Sequence, residues 1–463
     1  MSPAAGEVAG APQLRLDSAR GRGVLAATVL GSGVAFLDTT IVNVALPTLS
    51  RSLHAGLSGL QWTLDAYLLS LSALLLVGGS LGDLHGRRRV FVVGLAGFAF
   101  ASALCGLSPS IWFLVAARGL QGVSAALLVP GSLSLLRSTF AEEDQARAIG
   151  AWAGLSGVTT ALGPLIGGSL LTGLGDKAWR LLFFINLPLA ALAIFFALRC
   201  VPETRSPSRA RLDLAGALLA AAGLGLIVFA LIEGPAGGFR GVAVPGAAVL
   251  GVLLLVAFFL VESRRAAPML PLSLFRSRQF SGSNGTTLAV YFALGGALFL
   301  LALELQTVLG YSPLAAGAAL LPITLLLLTL SSTAGRLAGQ FGFRALMTSG
   351  PLCAALGLLL FLRVGPGASY AGAVLPGVLV LGLGLALTVA PLTAAVVSGA
   401  APEHAGIASA VNNAVARLAN LLAVALLPLF GAGQDLDRGF HRALVASAIV
   451  CALGALCAFF SLA

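Results

Sequence analysis

Four ionisable residues stand inside stretches that are otherwise apolar: Asp38, Asp65, Arg118 and Glu304. A charged side chain in an apolar setting is costly and normally faces a partner or a water-filled cavity. Each is therefore a candidate for binding a proton or an ionic solute. Removing a carboxylate from water favours its protonated form, and a guanidinium beside it favours the ionised form. An Asp and an Arg that meet in such a setting can gain or lose a proton when their contact changes. Counted at the rise of a helix, Asp38 lies about 12 Å from one end of its apolar stretch and Arg118 about 10 Å from the matching end of its own. Their depths allow them to pair. Asp65 and Glu304 lie nearer an end, where an acid can also simply reach water. Gln61, Asp65 and Ser72 share one helical face, and Ser409, Asn413, Arg417 and Asn420 form a second polar stripe. Arg417 reads either as a cavity residue or as a structural tie held by neighbouring carbonyls.

The elements that must position these residues are membrane helices. The chain has 463 residues, 58% hydrophobic and 10% charged, with a mean hydropathy of +1.00. That is the composition of an all-α polytopic membrane protein, not of a soluble domain. A bilayer core takes about 20 apolar residues as helix. On that ruler there are six spans at 24–46, 61–82, 90–107, 111–136, 147–171 and 180–199. Two more follow at 213–233 and 243–262, and six close the chain at 281–306, 314–335, 344–363, 371–398, 404–430 and 440–461. Charged linkers at 200–212 and 263–280 bracket the central pair. The predicted units are a tail 1–23, a six-helix bundle 24–200, a linker with two extra helices 201–280, and a second six-helix bundle 281–463. The tail carries Arg15, Arg20 and Arg22, but no small-residue cleavage site interrupts the first apolar helix, which reads as a retained span.

The formal charge of +10 does not point to nucleic acid, because the arginines sit in short loops on alternate sides. Arg87–Arg89, Arg137, Arg147, Arg205, Arg209, Arg211, Arg264, Arg265, Arg276, Arg278, Arg336 and Arg344 fall on one side, and far fewer on the other. This is the positive-inside pattern, with both termini cytoplasmic. Cys105, Cys200, Cys353, Cys451 and Cys457 form no CxxC pair, so neither a disulfide framework nor a metal site is expected. The single lysine, Lys177, follows Gly175-Asp176 and not a phosphate loop, which excludes a Walker-type ATPase. An ion gradient or the substrate's own gradient is left as the driving force.

Two stretches carry more than apolar pattern. Gly79, Asp83, Gly86, Arg87 and Arg88 form a charged hairpin between the second and third spans. Gly79, Leu81, Gly86 and Arg88 recur as Gly335, Leu337, Gly342 and Arg344, each 256 residues on, with Gly339 in place of Asp83. A helix–turn–helix repeated at that distance suggests a duplicated bundle. The fifth span carries Gly150, Gly154, Gly157, Gly163, Pro164, Gly167 and Gly168. Small residues at this density let helices approach closely, and Gly163-Pro164 permits a bend.

These stretches, in order, resemble the major facilitator superfamily, and in particular its fourteen-helix drug:proton antiporter branch. Leu37-Asp38-Thr39-Thr40 through Pro47 resembles that branch's first-helix signature, and Gly79–Phe91 the superfamily's loop motif. Arg118-Gly119-Leu120-Gln121-Gly122 is similar to the fourth-helix arginine motif, and Gly150 with Gly163–Gly168 to the antiporter motif of the fifth helix. Trp179-Arg180, Phe184–Pro188 and Pro271–Phe275 also resemble the branch. The resemblance implies two six-helix bundles plus two central helices. Asp38 would be a proton or cationic-substrate site and Arg118 would tune a neighbouring acid. Asp83, Arg87 and Arg88 would latch the two halves, and the Gly–Pro helix would seal a leak path.

The expectation is therefore a proton-coupled antiporter of the cytoplasmic membrane, a monomer with no cofactor and no catalytic or metal residues. It would export small amphipathic or cationic drugs by alternating access. Asp38, Arg118, Asp65 and Glu304 would carry charge or proton, and Asn43, Gln61, Gln121, Gln306, Asn413 and Arg417 would line the cavity. The alternatives are a dedicated exporter or importer of one metabolite, or a non-transporting membrane receptor.

Overall fold

The computed structural model describes residues 14–205, 213–237, 242–265, 268, 270–401, 405–431 and 436–462. Residues 1–13 of the tail, Arg209 and Arg211 of the linker, and the predicted start of the thirteenth span at 404 lie outside the described residues. The chain is all α. Its helices are α1 (Ala19–Leu53), α2 (Leu57–His85), α3 (Arg87–Gly106), α4 (Ile111–Thr139), α5 (Glu142–Leu174), α6 (Trp179–Phe184) and α7 (Asn186–Cys200) in the first half. The central pair is α8 (Leu214–Gly237) and α9 (Ala243–Arg264). The second half holds α10 (Arg278–Thr307), α11 (Pro313–Ala319), α12 (Leu321–Leu360), α13 (Leu375–Ser398), α14 (Ala405–Leu426) and α15 (Leu436–Ser461).

Among the described residues, 13 helical segments are long and apolar enough to cross a membrane. One of them, Pro313–Arg363, has 51 residues, far more than one crossing needs. It is broken at Gly342, whose φ of 80° lies in the left-handed region that favours glycine. Gly86, 256 residues earlier, turns α2 into α3 with φ 109°. The two glycines hold equivalent turns, so 313–363 is two helices joined at Gly342 and not one.

Prolines account for the other differences from the predicted spans. α1 runs through Pro47 to Leu53, where the sequence suggested an end at Leu46. In a bundle the carbonyl that proline leaves unpaired can find other partners, so the helix continues. The sixth span is divided between α6 and α7 at Ile185, just before Pro188 removes the N–H that would bond Phe184. The tenth is divided at Leu320, just before Pro322. The last residues of the tail are not loose. Leu14 N donates to Thr139 O (2.9 Å), Ala141 N donates to Leu14 O (3.2 Å), and Leu16 N donates to Asp144 Oδ2 (2.9 Å).

The helix ends define two faces. One, with the turns at 86, 140–141, 201–205, 270–277, 342 and 399, is arginine-rich; the other, with turns at 54–56, 107–110, 308–312 and 364–369, is arginine-poor. At the arginine-poor face both halves share one core, in which Ile41, Leu46, Leu64 and Leu171 pack with Val290, Leu301, Ile323 and Leu427. At the arginine-rich face the second half has smaller clusters of its own, such as Leu274, Phe280, Val396, Ala408 and Val411. Large apolar side chains such as Val93, Phe100, Leu253 and Leu453 are exposed on the outside of the bundle, where lipid would meet them. The central pair rests on the first half: Ser58 Oγ and Trp62 Nε1 of α2 both donate to Glu233 Oε1 of α8, at 2.7 and 2.9 Å.

Candidate functional site

Four helices of the first half bring their polar residues to one buried point. Arg118 of α4 donates through Nη1 to Asp38 Oδ2 of α1. Asp38 Oδ1 accepts from Gln121 Nε2 and from Asn186 Nδ2, both at 3.0 Å. Arg118 also donates through Nη1 to Gln121 Oε1 (2.7 Å) and through Nε to Thr63 O (3.1 Å), and it lies 4.3 Å from the centre of the Tyr67 ring. Asn186 Nδ2 donates onward to Ser102 Oγ (2.9 Å), which donates to Phe183 O (2.8 Å). Asp38, Arg118, Gln121, Asn186 and Ser102 are all buried. Only one orientation of the Gln121 amide serves both the acid and the base, so it fixes their separation. A buried pair of this kind is neutral as a whole, and both oxygens of its acid have donors.

The other predicted residues do not join this cluster. Asp65 is fully buried on α2, one turn from Gln61, and among the described residues neither of its oxygens has a hydrogen-bond partner. Gln61 does not line an open cavity: its Nε2 donates to Val424 O of α14 at 2.8 Å. Gln306 likewise donates to Val44 O of α1 at 3.1 Å. With Leu314 N to Thr172 Oγ1 (3.2 Å) and a longer bond from Gln61 Nε2 to Ala425 O (3.4 Å), these are the hydrogen bonds that join the halves among the described residues, and all lie towards the arginine-poor face. Glu304, two residues from Gln306, points to the opposite side of α10, into the second half, beside Asp437 of α15. Arg417 faces the first half, with its guanidinium carbon 5.8 Å from the centre of the Phe36 ring. Asn43 and Asn413 bond only within their own helices, to Thr39 O (3.3 Å) and Ser409 O (3.0 Å).

In the hairpin, Arg87 donates twice to Asp83 Oδ1, at 2.9 and 2.7 Å. Arg87 N donates to Thr204 O (2.9 Å) and Arg88 N to Glu203 Oε1 (3.1 Å), while the Arg88 and Arg89 side chains reach Glu203 Oε2 at 3.6 and 3.8 Å. Gly86 has φ 109°, which favours glycine, and a Cβ there would stand 2.6 Å from Glu203 Oε1 and displace that carboxylate. These contacts lie within the first half and the start of the linker, at Glu203 and Thr204. Asp83→Asn removes a partly exposed pair worth about 1 kcal/mol or less, so membrane insertion is expected to survive. Transport is expected to fall sharply in vesicles matched for inserted protein; wild-type flux would leave these arginines only their topological role.

The glycines of α5 divide by neighbour. A Cβ on Gly163 would lie 2.1 Å from Thr40 Oγ1, and one on Gly167 2.6 Å from Ile41 Cγ1, both on α1. A Cβ on Gly168 would lie 2.6 Å from Leu314 Cα of the other half, and Gly317 of that half meets Pro164 O in the same way, at 2.5 Å. Gly150 has nothing within 4 Å, and Gly79 only an ordinary contact with Pro130. Asn186, Ser102 and Tyr67 are the neighbours of Asp38 that the sequence did not single out; Asn186 was visible only as part of the Phe184–Pro188 resemblance.

A bundle of long apolar helices with a buried ion pair is the architecture of a polytopic membrane protein. The chain belongs to the Major Facilitator Superfamily, which matches residues 28–424. It is similar to the multidrug resistance protein Stp of Mycobacterium tuberculosis, strain CDC 1551 / Oshkosh (37% identical over 87% of this chain and 74% of the relative). It is also similar to the methylenomycin A resistance protein of Bacillus subtilis, strain 168 (38%, 88% and 87%), and to the tetracenomycin C resistance and export protein of Streptomyces glaucescens (35%, 89% and 76%). Its fold is that of an auto-inhibited POT family peptide transporter (TM-score 0.71, 17% identical, 95% and 96% covered). It is also that of a bacterial homologue of the human lysosomal transporter Spinster in an inward-facing, unoccupied form (TM-score 0.68, 17%, 96% of each chain). The family is one of transporters and not of enzymes. Among the described residues no cluster of His, Cys, Asp and Glu could hold a metal.

Proposed function

We propose that this protein is a proton-coupled antiporter of the fourteen-helix drug:proton branch, exporting small amphipathic or cationic molecules across the cytoplasmic membrane. The arginine-rich face is cytoplasmic by the positive-inside rule, which puts both termini inside. The units are the tail 1–23, the bundles 24–200 and 281–463, and the linker 201–280 between them. The observation that carries the reading is the buried Asp38–Arg118 pair with its Gln121 and Asn186 ligands. It stands in a bundle whose halves, among the described residues, are hydrogen-bonded to each other towards one face only. A charge pair that needs every one of its donors is sensitive to any shift of α1 against α4. Such a shift is what alternating access supplies. Asp38 then carries a proton or a cationic substrate, Arg118 sets which form the acid takes, and Asp65 is a second acid buried where the halves meet. Asn43, Asn413 and Arg417 offer polar contacts to substrate. Gln61 and Gln306 close the outer face. The resistance and export proteins among its relatives support efflux and small-molecule substrates.

The test is flux of a compound panel into inverted membrane vesicles under an imposed pH gradient. Several unrelated amphipathic compounds are expected to accumulate when the gradient is imposed and to leave when it collapses. Uptake of a single metabolite would establish the dedicated carrier instead, and no gradient-dependent flux of any compound would end the antiporter reading.

A further inference from the structure

Glu304 has no part in the Asp38 cluster. It is fully buried near the arginine-poor end of α10, and neither carboxylate oxygen has a donor among the described residues. Its neighbour is a second carboxylate, Asp437, from the first turn of α15. Asp437 Oδ1 has no donor either. Asp437 Oδ2 lies 3.7 Å from His441 Nδ1 one turn on, and His441 Nε2 is 2.7 Å from Val364 O. A carbonyl can only accept, so Nε2 carries the hydrogen and Nδ1 is left free towards Asp437. Asp437 and His441 are partly exposed while Glu304 is not. A line of proton-binding groups therefore runs from the surface inwards. Among the described residues the charged groups in this line are Glu304 from α10 and Asp437 and His441 from α15, with no Arg or Lys paired to either acid.

Two neighbouring carboxylates without a donor repel when both are ionised and attract each other when one proton is shared between them. The opposite side of the same turn of α10 holds Gln306, whose amide ties the second half to Val44 O of the first. The acid pair thus sits behind one of the ties that close the arginine-poor face.

We propose that Glu304 and Asp437 form a proton site that is loaded from the arginine-poor side through His441 and whose shared proton holds that face closed. The step is proton transfer alone. Water on that side gives a proton to His441 Nδ1, His441 passes it to Asp437 Oδ2, and it comes to rest between Asp437 and Glu304. With the proton in place α15 packs on α10 and the Gln306 tie forms. Without it two adjacent anions push the ends of α10 and α15 apart and the tie loosens. The site deepens the antiporter reading and rests on it for one point, that the arginine-poor face is outside. External acid would then favour closure of the outer face, the direction in which proton binding must drive an exporter.

The experiment uses the purified full-length chain in lipid and needs no transport. Infrared difference spectra across a pH step are expected to show a protonated-carboxyl band that titrates in the wild type. Glu304→Gln is expected to abolish this band and Asp437→Asn to change its titration. His441→Gln should keep the band but slow its appearance after an acid jump. If both acid variants titrate like the wild type, no proton is shared and the site is overturned. In parallel, cysteines at positions 44 and 306, in a chain freed of its five native cysteines, report closure by disulfide formation. Cross-linking is expected to fall as pH rises, and to become pH-independent when Glu304→Gln is added. An unchanged pH dependence in that variant would overturn the link to closure. Gradient-driven flux is scored separately, so an intact titration without flux would count against the antiporter reading and not against the site.

Discussion

Replacing Asp38 by Asn is expected to abolish pH-driven efflux while the chain still inserts. The substitution keeps the shape of the side chain, and Gln121 and Asn186 can still donate to its remaining oxygen. Arg118 is the group that suffers. Its Nη1 would face an NH2 where it now meets a carboxylate oxygen, and Thr63 O and Gln121 Oε1 would be its only remaining acceptors. Stranding one member of a buried ion pair typically costs about 3–5 kcal/mol. Asp38→Asn alone would therefore confuse a loss of coupling with a loss of stability. The double variant Asp38→Asn with Arg118→Gln separates them, because it removes both charges and leaves an amide cluster in their place. Thermal stability in detergent is expected to fall in the single variant and to recover much of that fall in the double. Gradient-driven efflux is expected to be lost in both. Full proton-coupled efflux in either would move the coupling role from Asp38 to Asp65 or another acid.

The sequence made this pair legible through depth, even though the outer end of the first helix was placed seven residues short. α1 continues through Pro47 to Leu53, so Asp38 lies deeper along its helix than the apolar run suggested. The contact still forms, because Arg118 and Asp38 are brought level by where α4 starts, not by where α1 stops. The hairpin was legible for a different reason. Only glycine readily adopts the backbone of Gly86 and Gly342, and that constraint repeats at a fixed distance in the chain. What periodicity cannot tell is which neighbour a face will meet. Gln61 and Gln306 read as cavity residues and instead bind carbonyls of the opposite half. Glu304 shares a helix end with Gln306 but points the other way, towards an acid 133 positions further along. Asn186 holds Asp38 from a helix whose other residues are nearly all apolar. In each case the missing information is the packing of one helix on another, which a single helix's pattern does not contain.

The same distinction between neighbours decides the second large effect, in α5. Gly163 and Gly168 belong to one glycine-rich stretch and look equivalent in composition, yet they meet different partners. A side chain at Gly163 collides with Thr40, two residues from Asp38 and inside the same half. A side chain at Gly168 collides with the backbone of Pro313 and Leu314, at 2.7 and 2.6 Å, in the other half. Backbone at a helix start cannot step aside as a flexible side chain can. Leu at position 168 therefore leaves only separation of the halves at the arginine-poor face. Gly168→Leu is expected to hold that face apart and to abolish turnover, with the Asp38 cluster undisturbed. Disulfide formation between cysteines at 44 and 306 should fall with it. Gly173→Leu is the control, since a Cβ there has nothing within 4 Å, and it is expected to export and to cross-link like the wild type. Gly163→Leu should instead disturb α1 against α5, so that coupled export is lost or becomes a passive leak. If Gly168→Leu exports and cross-links normally, the approach of α5 to Leu314 is not part of the closed face, and the proposed seal must lie elsewhere on α5.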